Sequence, residues 1–276
     1  MIEESAPLSP NSDTPTTLAP SDLHSSAGDP HLTEDTALAL LKRVDLSPDV
    51  IEQLSKHAAV LTSRKVKLAL VAHPHTPRHV SVPMARQLYT FDLMKVALAP
   101  GVPADVKVAV DEVLISRLKT ITIGERLTLA RRASGRVAAA LLLDLENRGG
   151  VTVGAETADG QVTDAEIKSA KSLARQSRVF QVALGNPRLT EALVINSVLH
   201  SQASAALVHA VARHAKWSCR REVRAALLRT EHLPLGRALE FSREVPSPQL
   251  QELLGSSRLP GKIKDSLLRE NKNTVV

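Results

Sequence analysis

Aromatic residues and cysteine are scarce in this chain. Of its 276 residues, 2 % are aromatic, as one Trp, one Tyr and three Phe. Scattered rings give single-stranded nucleic acid few surfaces on which bases stack. The single cysteine, Cys219, excludes an internal disulfide and a four-cysteine zinc or iron–sulfur site within one chain. This cysteine usage favours a reducing, cytoplasmic setting.

Long apolar runs are also missing. The longest charge-free apolar run near the middle of the chain, residues 137–143, is stopped by Asp144, whereas a membrane-spanning helix needs about 20 apolar residues. The first five residues lack the basic start and apolar stretch of a secretory signal. The sequence therefore predicts neither a membrane span nor a leader.

Positive charge is absent from the start of the chain. No Lys or Arg precedes Lys42, whereas residues 1–41 contain seven Asp and Glu. Since the whole chain carries +6, the remainder carries +13. Residues 1–34 are rich in Ser, Pro and Thr, which predicts a disordered acidic tail. One hypothesis is that this tail folds back onto the basic body and competes with a partner; the alternative is a solubilising leader.

What the chain does contain is a repeated helix start. Its pattern is an apolar residue, then Ser, Thr or Pro, then two free positions and a second apolar residue. Ser or Thr caps free amide groups, and Pro is tolerated in the first turn. The capping position recurs at 47, 63, 77, 90 and 103, and then at 177, 190, 204, 218, 234, 247 and 260.

These starts lie 13 to 16 residues apart within each run, which is one short helix and one tight turn. Two such helices form a unit of about 26 to 31 residues, a period typical of stacked helical repeats. We predict an all-α fold, an α-solenoid of HEAT-like antiparallel helix pairs. It would form one body over residues 35–270, with about thirteen to fifteen helices.

The regular spacing breaks between the starts at 134 and 177. The excess contains a Gly-rich stretch, which predicts a loop insertion at about 147–162. A helix over 164–173 should follow, capped by Thr163 with Glu166 three residues later. Whether this helix joins the stack or belongs to the insertion stays open. Residues 271–276 should fray.

Two turns resemble a known family. Residues 182–190 (Val-Ala-Leu-Gly-Asn-Pro-Arg-Leu-Thr) and 70–77 (Leu-Val-Ala-His-Pro-His-Thr-Pro) resemble the Ala-x-Asn-Pro-x-Thr-Pro turn of bacterial HEAT-like and leucine-rich-repeat-variant proteins. The resemblance covers most of residues 44–270. It implies a curved stack of helix pairs that binds a partner on its concave side. It implies no iron–sulfur cluster, because the cysteine cluster of the original leucine-rich repeat variant is absent, and we expect no cofactor.

The histidines do not predict a metal site. His73, His75 and His79 are close in sequence, but the first two flank a Pro-rich turn, so their side chains should diverge as exposed turn residues. His209 and His214 are five positions apart, about 140° round a helix, which places them on different faces.

No catalytic motif is present. Residues 150–154 lack the Gly-Lys-Ser/Thr ending of a phosphate loop, and no Gly-x-Ser-x-Gly elbow occurs. Cys219 has arginine neighbours, but a lone helical cysteine is usually a packing residue. We therefore predict that the protein is not an enzyme. An enzyme related to the HEAT-like DNA glycosylases is the weakest alternative, since no catalytic acid stands in a recognisable setting.

Two Arg-rich stretches, within residues 117–136 and 213–229, are the strongest candidates for a binding surface. Their candidate residues are Arg131, Arg132, Arg136, Lys216, Arg220 and Arg224. The last three are four positions apart and would share one face if a single helix contained them. Trp217, before the expected cap Ser218, should pack against the next turn.

The function predicted from these stretches is a cytoplasmic interaction scaffold. Its curved, partly basic face would bind a protein with an acidic segment. The alternative is binding of the nucleic-acid backbone by the same arginines. A third interpretation is a solvated basic face without a partner.

Overall fold

The structure, a computed structural model, describes Ala27, Asp29, residues 31–144 and residues 164–274, except for the side chains of 164–173 and 272–274. Every regular element in this part of the chain is helical, so the predicted all-α class is confirmed. Most of the acidic tail, the insertion at 147–162 and the predicted cap Thr163 lie outside the described residues.

Backbone contacts divide the chain into two compact units, Met1–Ser81 and Val82–Val276, where the sequence predicts one body. The division falls within helix α5 (Arg78–Ala85), which contains Pro83. Proline has no N–H and therefore interrupts the hydrogen-bond ladder of a helix. Each unit has its own buried apolar core.

The first unit contains four complete helices among its described residues: α1 (Glu34–Leu41), α2 (Pro48–Lys56), α3 (Ala58–Leu61) and α4 (Arg64–Ala72). Helix α1 packs on α4, and the short α3 contacts both α2 and α4. Leu46, Ile51, Leu54 and Leu70 are completely buried between them. Their burial removes large apolar side chains from water and stabilises this packing.

Part of the predicted tail belongs to the first unit. Ala27 and Leu32 are buried, and His57 Nε2 donates a hydrogen bond to the Asp29 carbonyl at 2.9 Å. Thr33 caps α1 by accepting a hydrogen bond from Thr36 N–H. The described residues before position 35, the boundary predicted from helical periodicity, therefore pack on the first unit.

The second unit contains twelve complete helices in its described residues. They are α6 (Thr90–Leu98), α7 (Ala104–Arg117), α8 (Ile123–Arg132), α9 (Gly135–Asp144), α10 (Asp164–Leu184), α11 (Glu191–Leu199), α12 (Ala205–Arg213), α13 (Ala215–Ser218), α14 (Arg221–Leu228), α15 (Leu235–Ser242), α16 (Ser247–Gly255) and α17 (Gly261–Thr274). With α5 this gives seventeen helices in the described chain. Two of them, α3 and α13, have four residues each, too short to show a period in the sequence.

Most predicted helix starts coincide with the start of a helix. At several of them a side chain accepts a hydrogen bond from the first turn: Ser47, Ser63, Thr122, Ser134, Thr190 and Ser204. Thr122 forms a capping box with Glu125. Each cap satisfies amide groups that have no partner inside the helix, which fixes where the helix begins.

Two predicted starts are wrong. Ser177 lies inside α10, one helix of 21 residues, because residues 164–184 contain neither Gly nor Pro to end it. The predicted helix over 164–173 is therefore continuous with the helix that follows it. Ser218 ends α13 instead of capping α14, whose N-cap is Arg220 without a capping side-chain hydrogen bond.

Within the second unit, helices pack on neighbours that lie two or three positions further along the chain. One series of contacts joins α6, α8, α10 and α12, and another joins α7, α9, α11, α14 and α16. At Gly135, the first residue of α9, an added Cβ would lie 2.3 Å from the carbonyl oxygen of Arg188. Only glycine permits this close approach of α9 to the turn before α11.

The last helix, α17, continues to Thr274, into the segment 271–276 that the sequence predicts to fray. Asn271 lies in α17 and is buried. Its Nδ2 donates hydrogen bonds to the carbonyls of Ser242, at 2.9 Å, and Val245, at 3.1 Å. None of the helices in the described ranges combines the length and apolar character needed to cross a membrane.

Candidate functional site

Three exposed arginines border a cleft between α8 and α10. Arg131 and Arg132 lie in the last turn of α8, and Arg178 lies on α10. The cleft has a volume of about 370 Å³, and Leu127 and Val182 also line it. No described Asp or Glu is among the lining residues. We call this the basic cleft.

The ends of α8 orient its two arginines. The capping box at Thr122 fixes the start of the helix, and Leu129 and Ala130 are completely buried on its inner side. Arg131 and Arg132 follow them and point towards solvent. Their charges lie at the C-terminus of α8, where the helix dipole favours cations.

The basic cleft carries three arginine charges that no ion pair in the described residues neutralises. In the described part of the chain no ion pair involves Arg131, Arg132 or Arg178, although other arginines form several. Arg188 adds a further exposed cation next to them, because its Nη1 donates to the Arg132 carbonyl at 3.3 Å. Like charges held together attract a polyanion and give it several hydrogen-bond donors.

A second groove lies on the other side of α10, against α12. Its volume is about 630 Å³, and Phe180, Leu184, Ala206 and Ala210 contribute apolar lining. Three basic residues, His209, Arg213 and His214, also line it. We call this the α10–α12 groove. It combines an apolar floor with cationic and hydrogen-bonding groups, and its described lining contains no carboxylate.

The two histidines of this groove correct a sequence prediction. His209 and His214 should lie on different faces of one helix, but α12 ends at Arg213 and His214 is the N-cap of α13. Both therefore line the same groove. The Nδ1 atom of His214 is buried without a hydrogen-bond partner. Burial, and then the charge of Lys216, lowers the pKa of His214.

The remaining predicted binding residues lie elsewhere. Arg136 Nη2 is 3.8 Å from a Glu112 carboxylate oxygen, and Arg220 Nη1 is 3.7 Å from one of Glu191. The Lys216 ammonium lies 4.2 Å from the centre of the Trp217 ring. These exposed contacts are each worth about 0.2 to 1 kcal/mol.

Arg224 has a structural role. Its Nε donates to the Ser218 carbonyl, its Nη1 pairs with Glu244, and its guanidinium lies 5.4 Å from the Phe241 ring centre. It does not share a helix with Lys216 or Arg220, since α13 ends at Ser218 and α14 begins at Arg221. The single-helix face that the spacing suggested is therefore not formed.

Trp217 is a core residue. Its side chain is 2 % exposed, and its Nε1 donates to the Leu184 carbonyl at 2.8 Å, at the end of α10. It thus bonds to an earlier turn, whereas the sequence predicts packing against the next one. Cys219 is exposed and its thiol contacts the Lys216 carbonyl at 3.2 Å.

The histidine cluster of the first unit bonds to backbone. His73 Nε2 donates to the Arg43 carbonyl at 2.8 Å, and His75 Nδ1 donates to the Leu46 carbonyl at 2.9 Å. His79 Nε2 lies 3.7 Å from Glu52. His73 is buried, contrary to the exposed position predicted. A search of the described residues finds no group of three or more His, Cys, Asp or Glu arranged to hold a metal ion.

Two arginines outside the predicted binding set line the concavities: Arg178 lines the basic cleft and Arg213 lines the α10–α12 groove. A helix start at Ser177, as the sequence predicts, would place residue 178 in the first turn of a helix and not in the middle of one. The absence of Gly and Pro from 164 to 184 permits one continuous helix, but the same absence from 188 to 233 accompanies four helices and is therefore no reliable signal. Only helix packing brings residue 178 next to residues 131 and 132.

Comparison of the chain with protein-family models, curated proteins and solved structures gives no match. The resemblance of the two turns to HEAT-like repeats therefore stays a prediction.

Proposed function

We propose that this chain is a non-enzymatic, cytoplasmic helical-repeat protein whose basic cleft binds an acidic segment of a partner protein. The observation that carries the proposal is the convergence of Arg131, Arg132 and Arg178 on a cleft without a described acidic lining residue. Guanidinium groups that lack carboxylate partners attract carboxylates and hold them through paired hydrogen bonds.

The repeat architecture we propose for these helices is a HEAT-like α-solenoid. The two series of helix contacts in the second unit support it, because each repeat of a solenoid packs mainly on its neighbours.

Hydrogen bonds between turns also support the repeat architecture. Several side chains donate to a turn 29 or 30 residues earlier, the length of one helix pair. These bonds run from His73 to Arg43, His75 to Leu46, Arg117 to Leu88, Ser257 to Leu228 and Asn271 to Ser242. A repeated bond at a fixed separation is expected when equivalent turns stack on one another.

The lining of the cleft favours a peptide over nucleic acid. Leu127 and Val182 provide apolar surface beside the arginines, which suits side chains better than phosphates. Phe180, Trp217 and Phe241 are buried, and the exposed rings of Tyr89 and Phe91 do not line the cleft, so it presents no ring for base stacking. Nucleic-acid backbone binding remains the second candidate, because phosphates also bind exposed arginines.

The test compares two probes across a salt series. Fluorescence anisotropy would measure binding of a labelled poly-glutamate peptide of about ten residues and a labelled duplex of about 20 base pairs. We expect the peptide to bind, and the triple variant Arg131→Glu, Arg132→Glu, Arg178→Glu to lower its affinity by about 10- to 100-fold.

A control variant separates the cleft from net charge. Arg86→Glu, Lys262→Glu and Arg269→Glu change exposed residues outside the cleft by the same total charge. Equal loss in both triple variants would contradict the proposal, because the general field of the protein would then explain binding. Tight duplex binding with a steep salt dependence, lost in the cleft variant, would instead support the nucleic-acid candidate.

A further inference from the structure

We infer that the partner segment carries an apolar anchor side chain, and that this side chain enters the α10–α12 groove while the acidic residues bind the basic cleft. The inference rests on the proposed function and specifies the chemistry of its ligand. The occupant is an acidic peptide with one large aliphatic residue at a fixed distance from its carboxylates.

Both grooves border the same helix. On α10, Phe180 and Leu184 line the α10–α12 groove, whereas Arg178 and Val182 line the basic cleft. Residues 178 and 180 are about 200° apart round a helix, so they lie on opposite sides of α10. Ser177 and Gln181 are exposed and also line the groove. A ligand that reaches both grooves must therefore cross this exposed ridge.

The groove has the size and lining of an anchor pocket. Its volume of about 630 Å³ exceeds that of one large side chain. Ala206 and Ala210 leave room on the α12 side, and Phe180 is 1 % exposed at the base. Placing a leucine side chain in such a groove removes apolar surface from water and strengthens binding by about tenfold.

Charge complementarity selects an acidic occupant. Arg213 and His209 are exposed on the α12 side of the groove, and three arginines border the cleft across α10. No described Asp or Glu lines either concavity. A basic segment would find no described carboxylate for its charges there, whereas the carboxylates of an acidic segment find cationic donors in both the basic cleft and the α10–α12 groove.

Helix packing sets the spacing of the ligand. Neighbouring helix axes lie about 8 to 10 Å apart, so grooves on the two sides of one helix are separated by about that distance. An extended segment advances about 3.3 Å per residue. The anchor and the nearest carboxylate should therefore be about three residues apart, as in the peptide Glu-Asp-Glu-Ser-Ser-Leu.

The experiment uses this labelled peptide and two relatives with the full-length protein. In one relative Ala replaces Leu, and in the other Leu stands directly after the last Glu. We expect both changes to weaken binding about tenfold. The variant Ala206→Trp, which fills the groove from an exposed position, should weaken the Leu peptide to the level of the Ala peptide and leave the Ala peptide unchanged.

Ala104→Trp is the matched control, since Ala104 is exposed at the start of α7 and lines neither concavity. It should leave all affinities unchanged. Equal binding of the Leu and Ala peptides, with the dependence on the three cleft arginines intact, would overturn this inference and leave the proposed function standing. Peptide binding that does not depend on the three cleft arginines, or no binding of any peptide, would overturn both this inference and the proposed function.

Discussion

The two Arg-rich stretches look alike in sequence and differ in what their arginines contact. In residues 117–136, Arg131 and Arg132 are exposed and form no described ion pair. In residues 213–229, Arg220 approaches Glu191, Arg221 donates to Gln249 at 3.0 Å, and Arg224 pairs with Glu244. A count of arginines therefore does not predict a binding surface. What matters is whether acceptors already lie within reach of each guanidinium.

The first stretch also contains arginines that hold the fold together. Arg117 donates to the carbonyls of Leu88 and Arg86. Arg126 is buried, donates to the Leu118 carbonyl and lies 3.1 Å from Asp144 Oδ2. That carboxylate atom lacks hydrogen-bond geometry, so its contact is an ion pair only. Helix α8 thus contains one structural arginine, Arg126, and two exposed ones, Arg131 and Arg132.

The largest effect should come from breaking the buried pair. Arg126→Ala leaves Asp144, whose side chain is 14 % exposed, without its charge partner. We expect the free energy of unfolding to fall by about 3 to 5 kcal/mol in urea titrations. Arg131→Ala, five residues later on the same helix, is the matched control and should change it by no more than about 0.5 kcal/mol. Similar losses in both variants would erase the distinction between structural and exposed arginines.

A smaller effect should follow from crowding the turn beside the basic cleft. Gly135→Ala places a Cβ against the backbone of Arg188, which must move, and overpacking of this kind costs about 1 to 3 kcal/mol. Gly124→Ala in α8 meets open space and should stabilise by about 0.5 kcal/mol, since alanine is the better helix former. Thermal unfolding of both variants checks the pair, and a stabilising Gly135→Ala would contradict the close approach.

In the second Arg-rich stretch, residues 213–229, a structural and an exposed arginine can be compared in the same way. Arg224→Ala removes the hydrogen bond to Ser218 and the pair with Glu244, and we expect a loss of about 1 to 2 kcal/mol. Arg220→Ala removes only an exposed pair at 3.7 Å and should cost no more than about 0.5 kcal/mol. Urea titrations measure both. A larger loss for Arg220→Ala would show that exposure does not separate the two roles.

The smallest effect that we predict is a dependence of the protein's stability on pH, caused by Asp111 of α7. Burial raises the pKa of this carboxyl, against the opposing effects of the Ser134 hydrogen bond and Arg136. A raised folded pKa means that the wild type loses stability as the pH rises from 3.8 through the folded value. Asp111→Asn should therefore melt higher than the wild type at neutral pH. The difference should vanish below pH 3.8, and a variant that melts lower at neutral pH would contradict it.

Much of the fold could be predicted from local chemistry. Ser47, Ser63, Thr122, Thr190 and Ser204 cap helices as expected, because a capping hydrogen bond involves residues only two or three apart. The wrong predictions of a helix start at Ser177 and Ser218 also come from considering only neighbouring residues. A serine caps a helix only where the preceding helix has ended, and no local pattern distinguishes Ser177 and Ser218 from the serines that do cap helices.

The sequence by itself determined the helical class, most helix starts and the scarcity of aromatic and cysteine chemistry, since these depend on neighbours along the chain. Tertiary packing decided which basic groups remain available. Arg178 joins Arg131 and Arg132 only because α10 packs on α8, while Arg126 and Arg224 turn to carbonyls and carboxylates on other elements. A long side chain bonds to whatever acceptor the fold brings within reach, and that distance is not encoded in sequence spacing.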